Sequence, residues 1–200
     1  MKIILASKSP RRKEILEKIN INFKVMPSNF DENQIIFNNN PIEFCQILAH
    51  EKAKNVAMKN ENYFIIGADT IVVEKNQIFP KPRNEEEAVK FLQYLSNKTH
   101  QVYTGISFIF NGESLNFYEK TDVTFRNISL TDIKFYIKNH NPYDKSGGYG
   151  IQDYSSIFIS KINGCFFNVV GFPLSKFYNK FRFFLKKIPE NCLVKNSEKL

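Results

Sequence analysis

Ile3-Ile4-Leu5-Ala6-Ser7-Lys8-Ser9-Pro10-Arg11-Arg12-Lys13 reads as an apolar strand, a hydroxyl-rich turn and the first turn of a helix. Three cations stand at the wrong end of that helix. A helix N-terminus carries about half a positive charge and unpaired N–H groups, so each cation there costs roughly 0.3–1 kcal/mol unless an anion sits among them. The chain holds its own contrast in Asn84-Glu85-Glu86-Glu87, where acids open a helix and Glu87 completes a capping-box pattern. Ser7, Ser9, Pro10 at the first helical position and the free backbone N–H groups make the Arg11-Arg12 turn a candidate phosphate cradle. A solvated basic face is the alternative.

Beyond the turn, the periodicity predicts a helix from Pro10 to about Ile19, an extended segment near 23–26 and an Asn-rich loop. A helix capped by Asn40 follows, to about Met58. At 3.6 residues per turn Cys45, Leu48, Ala49, Ala53 and Val56 form one apolar stripe, with Lys52 inside it. Such a lysine either snorkels to water or has a function. The run Tyr63–Val73 is strand-like and broken by one acid, Asp69. A lone buried carboxylate is expensive unless paired, metal-bound or protonated, and apolar sequence resumes at Ile71 with no turn dipeptide. Lys81 lies between Pro80 and Pro82, which stiffen the backbone and aim one cation.

A helix is expected over 85–95, with Ala88, Phe91, Leu92 and Leu95 as its core face, and another over about 131–139. Asn111-Gly112 marks a tight hairpin between 101–110 and 114–125, and a second hairpin is expected around Asn163-Gly164. Asp144-Lys145-Ser146-Gly147-Gly148-Tyr149-Gly150-Ile151-Gln152 is a flexible stretch whose glycines permit close backbone approach to a ligand. A final helix is predicted from Pro173 to about Lys187. The expected organisation is a single domain, 1–187, and a basic, mobile tail, 188–200.

With 200 residues, 42% hydrophobic, the chain can bury a core without disulfides or metals. Twenty Phe and nine Tyr point to aromatic packing. Net charge is +8, of which +5 falls between Ser175 and Leu200, remote from the opening turn. That balance attracts anions without choosing among them. Cys45, Cys165 and Cys192 are odd in number and widely spaced, which disfavours a disulfide framework and fits a reducing cytoplasm. No stretch approaches the length of a membrane span or a signal-peptide core. A nucleic-acid-binding role would use the charge and the aromatics. Against it, the cations are scattered or near the C-terminus, and no aromatic RNA-binding motif is present.

The motifs at 5–12 (Leu-Ala-Ser-Lys-Ser-Pro-Arg-Arg), 48–53 (Leu-Ala-His-Glu-Lys-Ala), 67–70 (Gly-Ala-Asp-Thr), 81–82 (Lys-Pro) and 102–105 (Val-Tyr-Thr-Gly) occur in an order that resembles the Maf family of nucleoside triphosphate pyrophosphatases. The resemblance continues through Thr-Asp-Val-Thr-Phe-Arg at 121–126, Gly-Gly-Tyr-Gly-Ile-Gln at 147–152 and Asn-Val-Val-Gly-Phe-Pro-Leu at 168–174. It implies an α/β fold like that of inosine triphosphate pyrophosphatases, with a mixed, twisted sheet and flanking helices in two lobes around a cleft. It also implies a homodimer and cleavage between the α and β phosphorus atoms with a divalent metal, Mg²⁺ or Mn²⁺, so that non-standard or excess nucleotides are removed.

By the same resemblance, Ser7, Arg11 and Arg12 match the phosphate-binding turn, and Lys52 and Lys81 match further phosphate-binding lysines. Asp69 matches the general base or a metal ligand, and Glu32 an acidic residue for metal binding or water activation. Arg11, Thr70 and Gln152 together resemble the dTTP/UTP subgroup; an amide such as Gln152 suits the donor and acceptor of a uracil-type edge. The subgroup acting on 7-methyl-GTP, and a nucleotide-binding division-arrest protein without turnover, are the alternatives. Neither a membrane nor a specific nucleic acid is an expected partner.

Overall fold

A computed structural model describes residues 1–188; Cys192 and all but the first residue of the expected basic tail lie outside the described residues. The strands are β1 (Lys2–Leu5), β2 (Lys24–Val25), β3 (Tyr63–Glu74), β4 (Gln77–Phe79), β5 (Thr99–Phe110), β6 (Glu113–Phe125) and β7 (Ile159–Asn163). The helices are α1 (Pro10–Glu17), α2 (Pro41–Ala57), α3 (Glu85–Leu95), α4 (Leu130–Asn139), α5 (Phe166–Val170) and α6 (Leu174–Lys187). One seven-stranded sheet runs β2-β1-β3-β5-β6-β7, with β4 added to β3. It is mixed: β1 is parallel to β2 and β3, while the pairs β3–β4, β3–β5, β5–β6 and β6–β7 are antiparallel.

The cleft begins as a gap in strand pairing. On one edge of β3, β1 covers Tyr63–Ile66 and β4 covers Val72–Glu74, so residues 67–71 have no strand neighbour there. Cores form on either side of the gap. Phe64 and Ile66 pack with Leu16, Phe108, Phe177, Phe181 and Phe184 in one. Val72 packs with Phe79, Leu92, Val123, Phe125, Ile133 and Phe158 in the other. These are the two lobes, and β3, β5 and β6 contribute to both. Between them lies a cleft of about 1130 Å³ that runs past the unpaired stretch.

On the opposite face α2 lies almost directly on the sheet. A Cβ at Gly67 would fall 2.8 Å from the Ala53 Cβ and inside contact distance of the Ala49 carbonyl, and one at Gly105 would strike the Cys45 carbonyl. Glycine is therefore needed at both positions for this approach. Cys45, Leu48, Ala49, Ala53 and Val56 form the buried stripe of α2, as its periodicity requires. The hairpin expected at Asn163-Gly164 is replaced by a strand-to-helix corner between β7 and α5. There the Thr121 hydroxyl accepts from the Cys165 N–H and donates to the Cys165 carbonyl, so a contact 44 residues away overrides the local turn signal. The capping box at Asn84 is half formed: Asn84 caps the Glu87 N–H, but the Glu87 carboxylate turns to the Arg83 N–H instead of the cap residue.

Candidate active site

Asp69 projects from β3 on the face covered by α2, opposite Gly105 of β5. With no side chain at Gly67 or Gly105, α2 comes close enough for Lys52, one turn past Ala49, to reach it. The Lys52 ammonium donates to Asp69 Oδ1 at 2.5 Å and to Glu32 Oε1 at 2.7 Å. Lys52 and Asp69 have side-chain exposures of only 13% and 8%, whereas Glu32 is 53% exposed, so the pair is sheltered and the third member faces the cleft mouth. Glu32 arrives on a short 3-10 turn whose backbone is capped by Asp31. Burial resists ionisation of Glu32, yet the charge and hydrogen bond of Lys52, with the charges of Lys81 and Arg12, hold its carboxyl below the ordinary carboxylate range.

Thus two carboxylates converge on one cation-sized point. Among the described residues no cluster of three or more His, Cys, Asp or Glu is placed to hold a metal. Two carboxylates completed by ligand oxygens is a donor set that suits Mg²⁺ or Mn²⁺, which are hard cations commonly held by one or two carboxylates plus substrate phosphates. Glu32 and Asp69 are the residues that could hold such an ion; here both are paired with Lys52.

Arg12 closes the open edge of β3. Its Nη1 donates to the Ala68 carbonyl at 2.9 Å and to Ser7 Oγ at 3.1 Å, its Nε to the Gly171 carbonyl at 3.0 Å, and its Nη2 to Thr70 Oγ1 at 3.0 Å. The Thr70 carbonyl, next along the same edge, accepts from Ser146 Oγ at 3.0 Å. Side chains thus take the place of the missing strand. Thr104 Oγ1 donates to the Asn168 carbonyl, so the 3.0 Å contact between the two threonines has Thr70 donating and Thr104 accepting. Burial lowers the Arg12 pKa, opposed by the charges of Asp69 and Glu32. Ser7 Oγ also accepts from the Ser9 N–H, and Ser9, the N-cap residue of α1, makes no side-chain capping bond, unlike the N-caps of α2, α3 and α4.

The three cations of the opening turn diverge. Lys13 pairs with Glu17 on the exposed face at 3.6 Å, outside the cleft. Arg11 reaches across to the glycine-rich stretch, donating from Nη1 to Asp144 Oδ2 at 2.8 Å and from Nη2 to the Asp144 carbonyl at 3.2 Å. Burial acts against the Asp144 charge, but hydrogen bonds from Lys145 and Arg11 hold its carboxyl below the usual value. Lys81 is exposed between its two prolines and lines the cleft, as does exposed Gln152.

All nine candidates therefore line one cleft, with Glu32, Lys52 and Asp69 in mutual contact and Ser7, Arg12 and Thr70 in a second group. Sequence reasoning passed over Ser146, Thr104 and Asn168. Their signal is polarity at buried strand and helix positions, since Thr104 and Asn168 have no exposed surface. It also passed over His100, fully buried, whose Nε2 lies 2.6 Å from the hydroxyl of Tyr149, a residue that lines the cleft. Chemically, the cleft offers cations for an extended polyanion, a sheltered carboxylate beside a second one, and an amide for a polar ring edge.

A protein of Thermosipho africanus (strain TCF52B) called dTTP/UTP pyrophosphatase is 45% identical over 179 residues, covering 90% of this chain and 91% of its own. One of the same name from Bacillus thuringiensis subsp. konkukian (strain 97-27) is 44% identical over 183 residues, covering 92% and 95%. Among solved structures, the Staphylococcus aureus Ham1 protein aligns with 62% of this chain and 72% of its own at 18% identity, with a TM-score of 0.43. The family described as Maf-like protein matches residues 2–184, a span that takes in both lobes and every residue of the cleft named above. With relatives this similar over nine-tenths of its length, the chain belongs to the Maf-like protein family.

Proposed function

We infer that this chain is a nucleoside triphosphate pyrophosphatase that hydrolyses dTTP and UTP to the monophosphate and pyrophosphate. The observation that carries the reading is the 45% identity, over 90% of the chain, to a protein called dTTP/UTP pyrophosphatase. The cleft supports it chemically. A triphosphate brings roughly four negative charges near neutral pH, and cations from α1, α2 and the Pro80–Pro82 segment face the same space. Ser7 and Arg11 bind phosphate oxygens from the α1 turn, Arg12 holds that turn against β3, and Lys52 and Lys81 bring further cations to the same cleft. Gln152 and Thr70 face the nucleoside.

Asp69 orients the attacking water and takes its proton as the new P–O bond forms at the α phosphorus. The bond from that phosphorus to the bridging oxygen breaks, and pyrophosphate leaves. Glu32 and Asp69 would hold a divalent metal, which would supply neutralisation of phosphate charge and acidify the water. The enzyme is proposed to work as a homodimer in the cytoplasm; among the described residues no helix is long and apolar enough to cross a membrane.

The test is a nucleotide panel with Mg²⁺ or Mn²⁺ in ¹⁸O-water, resolved by ³¹P NMR. The expected result is pyrophosphate from dTTP and UTP, with the label in the monophosphate. Inorganic phosphate with nucleoside diphosphate, or turnover confined to 7-methyl-GTP, would overturn the reading.

A further inference from the structure

Arg11 and Gln152 stand on different elements, yet a chain of alternating charges joins their surroundings. Asp144 accepts from Arg11 through Oδ2 at 2.8 Å and from Lys145 through Oδ1 at 2.8 Å. The Lys145 ammonium also donates to the Asn141 carbonyl at 2.5 Å and lies 3.3 Å from Asp153 Oδ2. Asp153, next to Gln152, is fixed in turn: its Oδ1 accepts from the Ser155 N–H at 3.0 Å and the Ser155 hydroxyl at 2.6 Å. Lys145 is sheltered, at 13% side-chain exposure. Gly150 keeps the arrangement possible, because a Cβ there would lie 2.8 Å from Asp153 Oδ2 and 2.9 Å from the Lys145 stem.

We propose that Asp144 and Lys145 are positioning residues for nucleotide selection. Asp144 aims the Arg11 guanidinium with two bonds, one to its carboxylate and one to its main-chain carbonyl, and Lys145 ties that aim to the segment carrying Gln152. The physical basis is geometric. A guanidinium held through two nitrogens by one residue loses the rotation that a solvated arginine keeps. Two groups on different elements that must meet one ligand discriminate only as well as their separation is fixed. The inference rests on the proposed reading, in which Arg11 and Gln152 meet the same nucleotide.

The test has two arms. In the first, Asp144→Asn and Lys145→Gln are compared with wild type for kcat and KM on dTTP, UTP, dCTP and dATP. The expected result is a KM for dTTP raised about 10-fold, kcat within about threefold, and a dTTP-over-dCTP preference reduced about 10-fold in both variants. In the second arm, without nucleotide, ¹⁵N spectra of the arginine side chains should show slowed guanidinium rotation at Arg11 in wild type and faster rotation in Asp144→Asn, where the carboxylate charge is gone and only neutral acceptors remain. Unchanged Arg11 dynamics, or a uniform loss of kcat on every nucleotide with selectivity intact, would overturn the positioning role. Wild-type protein inactive on pyrimidine triphosphates would instead overturn the underlying reading, and the NMR arm separates the two failures.

Discussion

Gly67→Ala probes the link between backbone packing and the carboxylate site. The added Cβ would sit 2.8 Å from the Ala53 Cβ and 3.0 Å from the Ala53 nitrogen, where ordinary contact begins at 3.4 Å, and closer still to the Ala49 carbonyl. To relieve this, α2 must withdraw by at least ~0.6 Å, and the carbonyl overlap brings the shift to on the order of 1 Å, since a packed interior has no slack to absorb it. Overpacking of this kind costs about 1–3 kcal/mol. Lys52 lies between the two displaced residues, so its ammonium is drawn away from Asp69. A misplacement of about 1 Å in a reacting group lowers the rate by on the order of 10²-fold. Urea unfolding should show a lower midpoint with an unchanged slope, and dTTP turnover, measured where both proteins are folded, should fall by more than 10-fold. A variant with wild-type midpoint and wild-type turnover would refute the close-approach reasoning. A loss of stability with full activity would show that the seating of α2 does not set the position of Lys52.

Two other expectations follow from the site and its surroundings. Asp69→Asn should keep the fold and nucleotide affinity and lower kcat by at least about 10²-fold, because the amide keeps the shape but cannot take a proton; turnover near wild type in the folded variant would remove Asp69 from the chemistry. Burial pushes His100 down from 6.5 to about 4, so the unfolded chain takes up a proton first as the solution is acidified. The stability is whole above about pH 6.5 and lost progressively toward pH 4, by about 2 kcal/mol between pH 7 and pH 5. Denaturation curves at the two pH values should therefore differ less for His100→Gln than for wild type, and an equal difference would exclude the histidine.

Much of the architecture was readable because local pattern and tertiary need agree. The stripe on α2, the core face of α3 and the hairpin at Asn111-Gly112 each have a period or a turn dipeptide that the tertiary structure keeps. Asp69 and Lys52 stood out because each breaks an apolar pattern, and they break it against one another. Glu32 had no such signal. It sits in a polar loop with no period to interrupt, and only family resemblance singled it out. The corner at Gly164 was misread because Thr121 acts on it from another strand, and the roles of Ser146 and Asp144 depend on which backbone edge is left open and which helix faces it. Long-range pairing of this kind leaves no trace in a short window.

The three strands common to both cores bear on how the cleft can move. Domain closure around a ligand ordinarily turns on a few hinge residues that absorb large backbone rotations. Here the register between β3 and β5 runs unbroken from Ile65 to Val73, directly across the floor of the cleft, and that between β5 and β6 from Thr99 to Phe110. No residue on that floor is free to rotate without breaking ladder bonds. Any closure is therefore expected to be an elastic flexing of the sheet, with the adjustment to a ligand carried by side chains and by the loops bearing Glu32 and Gln152 at the rim of the cleft.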